Sequence, residues 1–123
     1  MKKALILIAH GSKNKAWVKP LQNIYTSFKK AESSKSIQLS YLEFCRPTLE
    51  EAFKKAVKAG YKDILILPMF MANGNHTKRD IPQKINSFKK LNPKTKIKLL
   101  PAVGEHPEVM DLYKKLAKGY LKN

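Results

Sequence analysis

The chain has 123 residues, of which 43% are hydrophobic. It is long enough to bury one core and too apolar to be disordered, so we predict a single domain over residues 1–123. Its longest apolar run is far shorter than the roughly 20 residues of a membrane span. Its single cysteine, Cys45, excludes an internal disulfide and fits a reducing compartment, so we expect a cytoplasmic protein without a membrane partner. The formal net charge of +16 favours an anionic partner, although lysines on solvated helix faces also account for it.

The first third of the chain predicts a strand, a helix and a second strand. Residues 4–8 form a continuous apolar run, which is typical of a strand buried on both faces. Residues 16–32 carry apolar side chains at helical spacing. Residues 37–41 alternate between apolar and polar side chains, which predicts a half-exposed strand at the edge of the sheet.

The middle of the chain predicts a second helix and a third strand. Thr48 and Glu51 have the spacing of a capping box, which predicts the N-terminus of the helix, and Gly60 is expected to end it. Residues 64–71 form the second strongly apolar run and predict another strand buried on both faces.

The last third predicts helix, strand and helix. Asp80 and Gln83 have capping-box spacing, which predicts a helix that begins at Asp80. Residues 97–103 predict the last strand, and Pro107 begins a final amphipathic helix. The order β-α-β-α-β-α-β-α predicts a three-layer, flavodoxin-like α/β fold with a four-stranded parallel sheet, and we favour the strand order 2-1-3-4.

Two histidines follow the two most apolar runs. His10 comes after the first run and His76 after the second. In the predicted order these strands are neighbours about 4.8 Å apart, and ligands bind at their carboxyl ends. Two imidazoles on adjacent loops there suit a metal site or a proton-transfer site. For each histidine alone, a loop residue held by backbone groups is the alternative.

Other residues near the strand ends are candidates for the site, and most of them also have a structural interpretation. Ser12 is a nucleophile or, as we favour, a group that hydrogen-bonds the loop or caps the helix. Asp80 has a catalytic role or, as we favour, is an N-cap, and His106 is a cap or a surface residue. Glu43 is expected near the cleft, and residues 69–71 line a pocket or fill the core. Basic residues lie near both loops: Lys13, Lys15, Lys78 and Arg79.

Several strings along the chain form a recognisable pattern. They are LIAHGS at residues 7–12, LEFCRPT at 42–48, LPMFM at 67–71, GNHTKRDIP at 74–82 and GEHP at 104–107. Together they resemble the small CbiX-type sirohydrochlorin chelatases of the class II chelatase group, over nearly the whole chain. The string from Gly74 to Pro82 is the most specific of them.

The resemblance implies insertion of a divalent metal into sirohydrochlorin, with Co²⁺ or Ni²⁺ used by small forms and Fe²⁺ by some relatives. The metal is then a substrate, and no permanent cofactor is implied. His10 and His76 are implied to bind the metal, and His10 also to accept a proton. A homodimer is implied because short forms resemble half of longer two-domain chelatases. The implied contacts with the macrocycle are Arg46, Met71, Ala72, Asn73, Gly74, Asn75 and His76.

The chain departs from the family pattern at a few positions. Ala9 and Lys13 stand where the family usually has Gly and often Arg. Arg46 replaces a common acidic residue, and Asn73 stands where some nickel or cobalt members carry another His. These differences leave open the physiological metal and the pathway, whether cobalamin, sirohaem or a nickel tetrapyrrole.

Two further classes of protein compete with the chelatase. A non-catalytic protein that stores or delivers metal would use the same histidines. A basic nucleic-acid-binding domain would explain the charge, but the chain has no known nucleic-acid motif, so we expect no nucleic acid partner. A sirohydrochlorin ferrochelatase for sirohaem is the alternative within the enzyme class.

Overall fold

Four parallel strands form one sheet in the order β2-β1-β3-β4, as the sequence predicts. A computed structural model describes residues 3–32, 36–72 and 74–122, and the side chains of residues 31, 32, 75 and 76 lie outside this description. The right-handed crossovers that follow from parallel pairing place helices on both sheet faces. The strands are β1 (Lys3–Ala9), β2 (Ile37–Tyr41), β3 (Asp63–Pro68) and β4 (Lys96–Leu99).

The sheet divides the core into two parts. One cluster of buried side chains lies between the sheet and α1, and a larger one lies on the opposite face with α2 and α3. None of the helices in the described ranges is long and apolar enough to cross a membrane. The helices are α1 (Lys15–Glu32), α2 (Leu49–Lys58), α3 (Asn75–Leu91) and α4 (Pro107–Leu121), with a 3₁₀ turn at Val103–Glu105.

Strand β2 lies at the sheet edge, as predicted, but it is more buried than its alternating pattern indicates. The polar side chains of Gln38 and Ser40 lie on the side of α2 instead of facing solvent. The Gln38 amide donates to the carbonyl oxygen of Ala52 (3.1 Å), and the Ser40 hydroxyl donates to that of Leu7 (2.9 Å). Because both polar groups have partners, the strand can be covered on both faces.

Strands β3 and β4 end earlier than the apolar runs predict. Their predicted ends were residues 71 and 103, whereas the observed strands end at Pro68 and Leu99. The runs are longer because Phe70 and Ala102 are buried although they lie beyond the strands. An apolar run therefore predicts too long a strand where buried residues of the following loop continue it.

Helix α3 begins at Asn75, five residues before the predicted start, so the prediction that Asp80 is an N-cap is wrong. The N–H of Lys78 donates to the carbonyl oxygen of Gly74 (3.0 Å) and closes the first turn there. The buried hydroxyl of Thr77 donates to the same oxygen (3.0 Å). This places His76 in the first turn of α3 and not in the loop that the sequence predicts.

Candidate functional site

His10 lies directly after β1 and is exposed at the carboxyl edge of the sheet. Its ring stacks on the ring of Phe70, with centroids 4.1 Å apart and an angle of 26° between the planes. Phe70 is 5% exposed and comes from the segment after β3. Such an aromatic contact contributes about 0.5–1.5 kcal/mol. The structure thus holds an accessible imidazole in place against a buried ring.

Gly11 lets the loop of His10 approach the segment after β2. Its φ of +84° favours glycine, and a Cβ at this position would lie 1.9 Å from the backbone oxygen of Glu43. The N–H of Glu43 donates to the carbonyl oxygen of His10 (3.1 Å). The backbone of Glu43 therefore supports His10, while its side chain is exposed.

The segment after β3 is held by residues from the last quarter of the chain. The N–H of Gly104 donates to the carbonyl oxygen of Phe70 (2.9 Å), and the Tyr113 hydroxyl donates to the sulfur of Met71 (3.2 Å). A Cβ on Gly104 would lie 1.9 Å from the backbone oxygen of Met71. These contacts fix the chain that leads from Phe70 towards α3.

The predicted histidine pair follows neighbouring strands, as expected. Residue Ile8 of β1 pairs with Pro68 of β3, so His10 and the backbone of His76 both lie beyond the same edge of the sheet. The side chain of His76 is outside the description, and joint metal binding by the two histidines stays a prediction.

The other predicted contacts with the macrocycle lie around the start of α3. Met71 and Ala72 are exposed, and Gly74 is the N-cap residue of α3. Asn73 lies outside the described residues, and so does the side chain of Asn75. Their contact with a tetrapyrrole stays a prediction.

Arg46 lies before α2 and pairs with a carboxylate. Its guanidinium contacts both carboxylate oxygens of Glu51, one of them through Nε at 3.1 Å, and its side chain is 82% exposed. The hydrogen bond from Arg46, together with one from the Thr48 N–H, lowers the pKa of Glu51 from 4.5 to about 2. Glu51 also completes the predicted capping box with Thr48, which is confirmed.

Acid should therefore weaken the N-terminus of α2. Because the folded-state pKa of Glu51 is lowered, its stabilising effect is present above pH 4.5 and is lost as the pH falls towards about 2. We expect the melting temperature of Glu51→Gln to depend less on pH over this range. Thermal unfolding followed by circular dichroism measures it, with Glu50→Gln as the control from the same turn. Equal acid dependence in Glu51→Gln and the wild type would contradict the assignment.

For the remaining predicted residues, the structure gives a hydrogen-bond partner or a position in a helix. The Ser12 hydroxyl accepts a hydrogen bond from the N–H of Asn14 (3.0 Å), a contact within the loop. Asp80 lies inside α3 and is half-buried. His106 occupies the N-cap position of α4, and its Nε2 lies 2.9 Å from the carbonyl oxygen of Pro101.

A cavity of about 200 Å³ opens beside His10, between its loop and α1. Its walls are mostly apolar and include Trp17, Val18 and Met69. Trp17 is 75% exposed and was not among the predicted site residues. Its helical spacing to Leu21 and Phe28 is that of a residue on the apolar side of α1, so the spacing alone does not distinguish it from the core. A large aromatic residue in the first turn of the helix that follows the His10 loop was the available signal. The cavity gives His10 an apolar neighbourhood that suits the edge of a flat ligand.

The sequence model of the CbiX family matches residues 4–119. The chain belongs to the CbiX family. A curated relative, the sirohydrochlorin cobaltochelatase of Sulfolobus acidocaldarius, is 33% identical over 113 residues, which cover 92% of this chain and 88% of that protein. The sirohydrochlorin cobaltochelatase of Methanopyrus kandleri is 34% identical over 82 residues, which cover 67% of this chain and 57% of that protein. The sirohydrochlorin ferrochelatase of Bacillus subtilis is 32% identical over 114 residues, 89% of this chain and 42% of that protein.

Solved structures have the same CbiX fold. The putative cobalamin biosynthesis CbiX protein of Marinobacter aquaeolei superposes with a TM-score of 0.84 at 24% identity, covering 98% of this chain and 96% of that chain. SirB from Bacillus subtilis with Fe³⁺ gives a TM-score of 0.82 at 27% identity, covering 100% of this chain and 49% of that one. The CbiX chain described here thus spans about half the length of several relatives that it matches.

Proposed function

We propose that this CbiX-family protein inserts a divalent metal ion into sirohydrochlorin, and that Co²⁺ is its metal. The exposed imidazole of His10, stacked on buried Phe70 at the carboxyl edge of the sheet, is the observation that carries the proposal. Relatives named sirohydrochlorin cobaltochelatase support the choice of cobalt. The relative named ferrochelatase keeps Fe²⁺ as a second candidate, and Ni²⁺ suits the same imidazole ligands.

The proposed reaction exchanges the metal ion for two protons. Each of two pyrrole N–H groups loses its proton, and the ring nitrogens replace ligands of the incoming ion. Neutral imidazole binds Co²⁺, Ni²⁺ or Fe²⁺ and also accepts a proton near neutral pH. His10 and His76 hold the ion in this proposal. As the ring nitrogens replace the imidazole ligands, the released His10 imidazole accepts a pyrrole proton and passes it to solvent, which its exposure permits. The second pyrrole proton leaves by the same route.

The proposal is tested by the absorbance of the tetrapyrrole. Sirohydrochlorin is mixed with Co²⁺ with and without the protein, and the spectral change on insertion is followed. We expect the protein to accelerate insertion, and parallel series with Ni²⁺ and Fe²⁺ rank the metals. If the insertion rate with protein equals the rate without it and the protein binds Co²⁺ tightly, the protein is not a chelatase but a metal-delivery protein.

We also propose that the protein works in the cytoplasm as a homodimer that forms through α4. No side chain of α4 is buried, and the helix contacts mainly the 3₁₀ turn. Its lysines lie on the opposite side from its apolar stripe, as the helical period requires. The match of the whole chain to 49% of SirB makes a second copy the expected occupant. The large apolar side chains, 48–89% exposed, are Met110, Leu112, Tyr113, Leu116, Tyr120 and Leu121.

A charge on the apolar stripe of α4 should separate the dimer. We expect Leu116→Glu to be a folded monomer, because this side chain is already exposed in one copy, while Lys115→Glu on the opposite side stays dimeric. Size-exclusion chromatography with light scattering measures the mass of each variant. A monomeric wild type, or a Leu116→Glu variant as dimeric as Lys115→Glu, would contradict the interface.

A further inference from the structure

A second cavity lies next to that of His10 and is lined by basic side chains. It has a volume of about 550 Å³ and shares Ser12, Val18 and Tyr41 with the first cavity. We call it the cationic cavity. Within the described part of the chain, no Asp or Glu lines it. Its basic lining residues are Lys13, Lys15, Lys19 and Arg46.

The basic side chains around the cationic cavity differ in what they contact. Arg46 is paired with Glu51, which lies outside the cavity lining. The Lys13 ammonium lies over the ring of Phe44, 5.2 Å from its centroid. Lys15 and Lys19 are four residues apart on α1 and so lie on the same side of the helix. Like charges this close repel one another, and an anion between them relieves the repulsion.

We propose that the cationic cavity is a substrate subsite that binds carboxylate side chains of the tetrapyrrole. The subsite rests on the proposed function. It contains Arg46, which the family resemblance already implies as a macrocycle contact, and adds the lysines of the cavity lining, which the resemblance does not assign. The apolar cavity of His10 receives the edge of the macrocycle beside Trp17, and the adjoining lysines receive its acidic arms. A cavity of this size accommodates such an arm, since small-ligand sites measure about 300–1,000 Å³.

Binding by the cavity lysines can be distinguished from a general attraction by the net charge, because these lysines have a defined position. The chain has 25 Lys and Arg, and any of them attracts an anion from a distance. The cavity lysines line a space that adjoins the cavity of His10, so a substrate whose ring lies beside His10 comes within their reach. Lys54 and Lys58 of α2 provide a matched control, because they are exposed, four residues apart on one helix, and absent from the lining.

Steady-state kinetics test the subsite with Lys15→Ala/Lys19→Ala and Lys54→Ala/Lys58→Ala. We expect the first pair to raise KM for sirohydrochlorin about tenfold or more while kcat changes little, because the lost contacts are equal in the ground and transition states. The control pair should leave KM close to that of the wild type. An equal rise in KM for both pairs, or no rise in the first, would overturn the subsite.

Fluorescence gives a second readout that needs no metal. Trp17 is the only tryptophan and lines the adjoining cavity, so its emission should be quenched when sirohydrochlorin binds. Quenching should need a higher concentration for Lys15→Ala/Lys19→Ala than for the control pair. A wild type that neither inserts metal nor shows quenching overturns the proposed function and the subsite together. If the wild type inserts metal and shows quenching, but Lys15→Ala/Lys19→Ala has the same KM and the same quenching curve, the subsite alone is overturned.

Discussion

Replacing His10 by alanine should lower the rate of metal insertion by at least about a hundredfold, because one substitution removes both a metal ligand and the proton acceptor. The fold should survive, since the imidazole is exposed and the side-chain contact that it makes with the described residues is the stacking on Phe70. His106→Ala is the matched control. It removes another imidazole from the same edge of the sheet, but one that contacts the carbonyl oxygen of Pro101.

The measurement is the initial rate of the absorbance change with sirohydrochlorin and Co²⁺ for wild type, His10→Ala and His106→Ala. Circular dichroism establishes that all three are folded. Added imidazole should restore part of the rate of His10→Ala, because the site is open to solvent. If His10→Ala inserts metal as fast as His106→Ala, His10 has no part in the reaction.

The sequence predicted the sheet and the place of His10 because both depend on strong, regular signals. Continuous apolar runs marked β1 and β3, and the alternation of strands with helices allowed few topologies. A histidine directly after a buried strand must then lie at the carboxyl edge. For His76 the sequence predicted the edge of the sheet but not the element. Its place in the first turn of α3 depends on the backbone hydrogen bond from the Lys78 N–H to the Gly74 carbonyl oxygen.

What the sequence did not predict depends on contacts between distant residues. The stacking of His10 on Phe70 joins the segments after β1 and β3, and nothing in either segment alone indicates it. Gly104 supports Met71 across a separation of 33 positions. The cationic cavity likewise brings α1 together with the segment before α2. Such juxtapositions follow from packing, which a local pattern does not specify.

Replacing Gly11 by alanine should destabilise the protein more than the same change at Gly60. Both glycines have positive φ, +84° and +94°, and this costs an alanine about 1–2 kcal/mol. A Cβ at Gly60 has open space, whereas at Gly11 it lies 1.9 Å from the backbone oxygen of Glu43. The segment carrying Glu43 must therefore move, which should add about 1–3 kcal/mol.

The pair of variants also separates stability from activity. Gly11→Ala should disturb the hydrogen bond from the Glu43 N–H to the His10 carbonyl oxygen, and should displace the imidazole from the ring of Phe70. We expect its insertion rate to fall well below that of Gly60→Ala at temperatures where both are folded. Urea denaturation gives the free energies of unfolding, and the absorbance assay gives the rates. Equal stability and equal rates would mean that the loop of His10 accepts the extra carbon, and that the close approach to Glu43 does not position the imidazole.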